Sequence, residues 1–468
     1  MENSTLREKN DDRPMSRYQW VIVAVATMLM MMEGYDVQAM AFTASAVTED
    51  LGLTGAELGF LLSGGLIGMA LGTAGVGPFA DRHGRRPVLL VAMTVTVVGL
   101  FMTAMASSLP EMLAWRVVTG LGIGGTMTSG VVLVSEYANS KYRALALSIY
   151  SSGFPIGATL GGLAAVPLIN TFGWQGVFNV GGIATALAIA AVALFIPESI
   201  DHLAAKFRSG RKQALQRAEQ IALRLKVDGP VVLSAARDGG QTRRRNAYAT
   251  LLSRENRKGT LMLWAIYFMV MASFYFVSSW TPRLLTETGL TAEQGIFGGL
   301  VVMAGGLVGN VLYGSCAARW DARKVMACFA VVSALLMVAF VSTASTLFLA
   351  LAMGLLLGVF INGCMAALYT IAPMTYSADL RSTGVGTAMG FGRVGSILSP
   401  IAVGGLLDIG WTPIALYVLL AVIILLAAGI VPRLPSRQNA AGQGAEAQTE
   451  LPRAGNTAER QEAGKGQP

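Results

Sequence analysis

Gly77-Pro-Phe-Ala-Asp81-Arg82-His-Gly84-Arg85-Arg86 is a short charged turn joining two apolar runs, 58–79 and 87–107. Each run is about 20 residues long, the length of helix that crosses a bilayer. A second version of the turn, Gly314-Ser-Cys-Ala-Ala318-Arg319-Trp-Asp321-Ala-Arg323-Lys324, joins the runs 294–317 and 325–344. Outward from these two turns, apolar windows give twelve spans, at 18–44, 58–79, 87–107, 111–134, 143–168, 175–197, 259–283, 294–317, 325–344, 346–372, 382–407 and 412–432. Hydrophobic residues make up 53% of the 468 and charged residues only 13%, against roughly a quarter charged in a soluble average. That balance excludes a soluble enzyme and a soluble α/β fold. Strict period-2 alternation is absent, and in hydrocarbon each backbone group must be satisfied within its own segment, so the spans are helices and not barrel strands. The expected fold is an all-α membrane protein of twelve transmembrane helices in two pseudo-symmetric halves of six.

Charge sets the expected orientation. Of the 35 Lys and Arg residues, 32 fall on the even-numbered side of the connections, only Arg283 falls on the other side, and Arg116 and Arg393 lie inside spans. Positive residues stay cytoplasmic, which places both termini and the long central loop inside. The net charge of +8 is thereby a topology signal, and no nucleic-acid partner is expected. The chain divides into a cytoplasmic tail 1–17, a first half 18–198, a central loop 199–258, a second half 259–432 and a tail 433–468. This last tail, rich in Ala, Gly, Gln and Glu from 436 onward, is expected to be disordered. The first span carries acids and lacks a cleavage pattern, so it is no signal peptide. Within the central loop, Leu203, Phe207, Leu215, Ala218, Ala222 and Leu225 form an amphipathic stretch that fits the inner membrane surface or a soluble helix equally. Cys316, Cys328 and Cys364 have no CxxC spacing, and His83 and His202 have no ligand partners nearby, so neither a disulfide framework nor a metal site is expected.

Duplicated halves around a midplane cavity are the architecture of alternating-access transporters. Candidate functional residues are then the charges that sit inside spans. Glu33 and Asp36, in Met32-Glu33-Gly34-Tyr35-Asp36, share one face of the first span. A central acid costs roughly 2.5–3.5 kcal/mol to insert, which implies use. Burial and a like-charged neighbour favour the neutral form of a carboxylic acid, so one of the pair is expected to hold a proton and release it when the cavity opens inward. The alternative is a structural acid paired to an arginine of a neighbouring span. Arg116 opens Arg-x-x-x-Gly120-x-Gly122-x-Gly124-Gly125, whose glycines are expected to serve helix packing. Its guanidinium should face a wet cavity or an acid, unless it snorkels to the outer interface near Glu111. Arg393, near the middle of the run 382–407, is the expected carboxylate anchor, since a guanidinium binds a carboxylate with two parallel hydrogen bonds. A cross-half pair with Asp36 or Glu33 is the alternative. Phe274, Tyr275, Tyr369 and Phe391 are mid-span aromatics suited to stack on a substrate ring, or to face lipid.

The turn at Gly77, Asp81, Arg82, Gly84, Arg85 and Arg86 resembles the signature loop of the major facilitator superfamily, G-x-x-x-D-R-x-G-R-R, at every specified position. A positive anchor is the plain alternative for it. The second copy carries Ala318 in place of the acid. Glu33-Gly34-Tyr35-Asp36 resembles the first-span Asp-Gly-Phe/Tyr-Asp element of the aromatic acid:proton symporters, with Glu for the first Asp. Ser135-Glu136-Tyr137 with Arg143, Ser152-Gly-Phe-Pro155-Ile-Gly157, Pro197-Glu198-Ser199, Trp280-Thr-Pro282-Arg-Leu-Leu285 and Arg381-x-x-Gly384-x-Gly386 with Gly392-Arg393-x-Gly395 extend the likeness over about 18–432. The resemblance implies proton-coupling roles for Glu33 and Asp36. It also implies substrate contact by Arg393, Arg116 and the four aromatics, and gating by the signature loop with Glu136, Arg143, Arg319 and Arg381. The function it implies is proton-coupled import of an aromatic carboxylate such as a hydroxybenzoate, in a bacterial inner membrane, by rocking of the two halves. No cofactor beyond the proton gradient is expected. The partners are the acid, protons and the bilayer, and the protein is expected to be a monomer. Open alternatives are a proton-driven exporter, a carrier of sugar acids or dicarboxylates, and a sensor on the same fold.

Overall fold

The computed structural model describes residues 9, 11, 13–208, 213–225, 249–343, 346–376 and 380–435; of Gly77, Pro78, Asp81, Ala144, Ala205, Arg208 and Ser382 it describes the backbone alone. Among the described residues there are helices and no strands. The long helices are α1 Arg17–Leu51, α2 Gly55–His83, α3 Arg85–Met105, α4 Leu109–Tyr137, α5 Arg143–Phe195, α8 Arg257–Glu287, α9 Ala292–Ala317, α10 Ala322–Ser342, α11 Leu347–Thr375, α12 Arg381–Asp408 and α13 Pro413–Ile430. Two shorter ones, α6 Ile200–Arg208 and α7 Gln213–Leu225, follow the first half.

Eleven of these helices are long and apolar enough to cross a membrane, and one of them counts twice. At about 1.5 Å per residue the 53 residues of α5 would reach about 80 Å, far beyond a hydrocarbon core of about 30 Å. Gly173 breaks α5 with φ 68° and ψ −177°, a backbone region open to glycine, so its two legs are the fifth and sixth spans. Twelve spans result. The same capping box opens the second helix of each half: Thr54 with Glu57 on α2, and Thr291 with Gln294 on α9. This echo of the duplication went unread in the sequence.

Glycines bring helix backbones into contact at corresponding places. On α2 and α4, a Cβ on Gly68 or Gly120 would strike the backbone of the facing helix; Gly309 on α9 and Gly358 on α11 are equally closed. Gly34 and Gly157 do the same between α1 and the first leg of α5.

The halves converge at the face opposite the termini. There Asp408, at the end of α12, accepts from the backbone N–H groups of Gly55 and Ala56 at the start of α2, at 2.7 and 2.8 Å. Ser63 donates to the Ile397 carbonyl at 2.8 Å, and Asn170 on α5 donates to Glu293 on α9 at 2.8 Å. Toward the termini face, open space lies beside Gly75 on α2 and beside Gly386 and Gly390 on α12. The described hydrogen bonds that join the halves lie between Arg393 and the face opposite the termini, which leaves the cleft between the halves to open on the face that carries the termini.

The amphipathic stretch of the central loop neither stands free nor lies apart on a bilayer surface. Its buried face, Leu203 on α6 with Ala214, Ala218, Ile221, Ala222 and Leu225 on α7, joins Ile22, Val25 and Leu29 of α1 and Val192 and Ile196 of α5 in one apolar cluster. Of the predicted stripe, Leu203, Ala218, Ala222 and Leu225 are buried, while Leu215 is only half-buried and Phe207 is exposed; Ala214 and Ile221 complete the buried face of α7. The tail from 436 onward, expected to be disordered, lies outside the described residues.

Candidate functional site

Two charged centres occupy the middle of the bundle, and they differ in how they are neutralised. Asp36 accepts from Arg116 Nη1 at 2.7 Å, and both side chains are almost wholly buried. Arg116 Nη2 also reaches the Asp36 carbonyl at 3.4 Å, and the guanidinium lies 5.7 Å from the Phe178 ring centroid. Room for it comes from Gly65, where a Cβ would press on Arg116 Nη2. Snorkelling of Arg116 to the outer interface is thereby corrected: the acid it finds is inside the bundle, while Glu111 caps Ser107 instead. This centre belongs wholly to the first half.

The second centre spans both halves. Arg393 on α12 donates from Nη1 to the Tyr275 hydroxyl on α8 at 3.2 Å, and from Nη2 to Met127 Sδ on α4 at 3.8 Å. No carboxylate among the described residues pairs with it, so the cross-half ion pair to Asp36 or Glu33 does not form here. Phe274 is buried with its ring edge-on to Tyr275, at 5.3 Å and 86°. Glu33 is 5% exposed yet has no hydrogen bond or ion pair with any described residue. Arg393, Tyr275, Tyr150 and Tyr369 all lie within electrostatic range of it. Tyr369 is 56% exposed where the cleft opens. Phe391 stands farther out, stacked on Trp264 at 4.0 Å and 15°.

Tyr150, Met127 and Trp264 were not singled out in the sequence. Tyr150 is buried on the first leg of α5, against Gly130, with its hydroxyl 3.5 Å from the Met127 carbonyl. A signal for it existed: it lies two residues before Ser152-Gly-Phe-Pro155.

The predicted gating residues divide into clusters. Gly84, with φ 111°, ends α2 and lets α3 start without a side-chain cap of its own. Glu198, from the end of the first half, supplies that cap by accepting from Arg85 N at 2.8 Å and Arg86 N at 3.1 Å. Arg86 Nη2 donates to the Ala193 carbonyl at 2.5 Å. Glu136 lies 3.7 Å from Arg85 Nε and accepts from Ser199 Oγ and Ile200 N. In the second copy Asp321 caps its own helix through Arg323 N and Lys324 N, so the two turns are built differently. Arg143 pairs with Asp11 at 2.5 Å rather than with the signature loop. Arg82, Arg319 and Arg381 are exposed, the side chain of Asp81 lies outside the description, and Gly77 is described by its backbone alone.

Comparison with known proteins decides the family. The Major Facilitator Superfamily model matches residues 22–312 and 263–460. The chain belongs to that superfamily. It is 34% identical to the 4-hydroxybenzoate transporter PcaK of Pseudomonas aeruginosa over 407 residues, which is 85% of this chain and 88% of that protein. With the gallate transporter of Pseudomonas putida the identity is 32% over 86% of this chain and 88% of that protein. The inward-open xylose transporter XylE from E. coli superposes with a TM-score of 0.70 at 17% identity, covering 90% of this chain and 97% of that chain. Membership makes the protein a multi-pass membrane transporter related to aromatic-acid carriers, and not an enzyme.

Proposed function

We propose that this superfamily member imports an aromatic carboxylate of the hydroxybenzoate kind together with protons, across a bacterial inner membrane, by alternating access. One observation carries the reading: Arg393 presents a guanidinium without a carboxylate partner among the described residues, hydrogen-bonded to Tyr275, in a cleft between the halves that also holds Tyr369, Phe274 and the buried acid Glu33. A low-dielectric cleft makes a two-pronged contact to a carboxylate strong, and flanking rings offer faces for an arene. The names of the relatives, which carry 4-hydroxybenzoate, gallate and benzoate, support the same class. The termini face, rich in Lys and Arg, is cytoplasmic in this reading. The driving force is the proton gradient, with no cofactor, and the working unit is the monomer.

The test is uptake of labelled 4-hydroxybenzoate into proteoliposomes under an inward-directed pH gradient. Accumulation that collapses with a protonophore is the expected result. Binding without accumulation identifies a sensor, and outward movement under the same gradient identifies an exporter.

A further inference from the structure

Of the two first-span acids, one is already committed to a cation and the other is not. Asp36 and Arg116 form a closed pair inside the first half, with Arg116 holding the carboxylate at 2.7 Å and the Asp36 carbonyl as well. Opening that pair would strand an arginine that is 2% exposed. Glu33, one turn away, has no hydrogen-bond partner among the described residues and shares its surroundings with Arg393 of the other half. The titratable and charged groups in range of Glu33 are Asp36 on its own helix, Tyr150 on α5, Tyr275 on α8, Tyr369 on α11 and Arg393 on α12. Arg393 is the one cation among them.

We infer that Glu33 is the acid that takes up and gives off the transported proton, that Arg393 links its protonation to the substrate carboxylate, and that Asp36 keeps a fixed charge on Arg116. This rests on the proposed reading of the cleft as an aromatic-acid site. The sign of the linkage follows from charge. While the cleft is empty, Arg393 is the cation within electrostatic range that supports an ionised Glu33. A substrate carboxylate that docks on Arg393 places a second anion on the same cation, so the ionised form of Glu33 loses its support and the protonated form gains. Reciprocity requires that protonation of Glu33 strengthen substrate binding by the same factor. Proton and carboxylate therefore bind together and leave together, which is the sign that symport needs. An arginine shared by two carboxylates in turn produces this, whereas a permanently paired acid such as Asp36 does not respond to the ligand.

The experiment measures equilibrium binding of 4-hydroxybenzoate to purified full-length protein from about pH 6 to about pH 8, where the ligand carboxylate stays ionised. In wild type the affinity should fall as pH rises, approaching about tenfold per pH unit for one linked proton. Glu33→Gln should bind with little pH dependence, Glu33→Asp should restore the slope, and Asp36→Asn should retain it. A slope that persists in Glu33→Gln, or that is absent from wild type, overturns the inference, as does a slope lost in Asp36→Asn but kept in Glu33→Gln. Where Asp36→Asn yields no folded protein, the two Glu33 variants decide. Failure of wild type to bind the acid at any pH overturns the substrate reading and the inference with it, a result separate from binding with the wrong pH dependence.

Discussion

Arg393 faces two chemically similar partners, and its variants can separate them. Arg393→Lys keeps the charge but loses the planar fork, so affinity for the acid should fall appreciably; Arg393→Ala should cost roughly 2–5 kcal/mol, the range for a buried charge left unpaired. The uncharged amide of the same compound should bind wild type poorly and be little affected by Arg393→Ala. Isothermal titration of both ligands against both variants checks this, and equal losses for acid and amide would remove the anchor from Arg393. All four membrane charges were legible in the sequence, because a charged residue in an apolar run stands out against its cost. Their pairing was not. Asp36 and Arg116 are 80 residues apart in the chain, and either arginine satisfied the sequence argument equally. Tyr150, Met127 and Trp264 were missed for the opposite reason: an aromatic or a methionine in an apolar run reads the same whether it lines a cleft, fills a core or meets lipid.

At the level of helices, the twelve spans were legible to within a few residues at most ends, since length and hydropathy are imposed by the bilayer. The break between the fifth and sixth spans is legible in the sequence at 169–174, and Gly173, with φ 68°, is the residue within it on which the chain turns back. The role of other glycines depends on what faces them, which only packing reveals. Gly157 lies against the backbone carbonyl of Met31, whereas nothing lies within 4 Å of the Cβ position at Gly314. Gly157→Ala should therefore destabilise the protein by about 1–3 kcal/mol, as overpacking does, because a backbone cannot swing aside. Gly314→Ala, in the helical last turn of α9, should be neutral or stabilising by up to about 1 kcal/mol. Thermal unfolding of the two purified variants separates them, and equal melting shifts would count against the contact between α1 and α5.

Across the whole molecule the halves pack together where α2 meets α12 and where α5 meets α9, so a polar contact placed in that packing is a lever on the conformational balance. Asp408 caps the first turn of α2 from the opposite half. A lost cap is worth about 0.5–2 kcal/mol, so Asp408→Ala should shift the balance by about 2- to 30-fold toward states open on that face. A cysteine replacing Ser63, which is buried where α2 meets α12, should react faster with a membrane-impermeant thiol reagent in that background; an unchanged rate would mean that the cap does not hold the closure. The charge ledger of the cleft leads to a second consequence. Asp36 and Arg116 cancel throughout the cycle if their pair stays closed, so the net charge that moves depends on Glu33, Arg393 and the ligand. Loaded, the cleft carries a neutral Glu33 and a carboxylate balanced by Arg393; empty, it carries an ionised Glu33 balanced by the same arginine. Both reorienting forms then have the same internal charge, and one proton crosses with each monoanion. Uptake of 4-hydroxybenzoate should accordingly follow the pH difference and be insensitive to a membrane potential imposed with potassium and valinomycin at fixed pH. A rate that rises with an inside-negative potential would require more than one proton per anion, and Asp36 would be the group to supply the second by parting from Arg116.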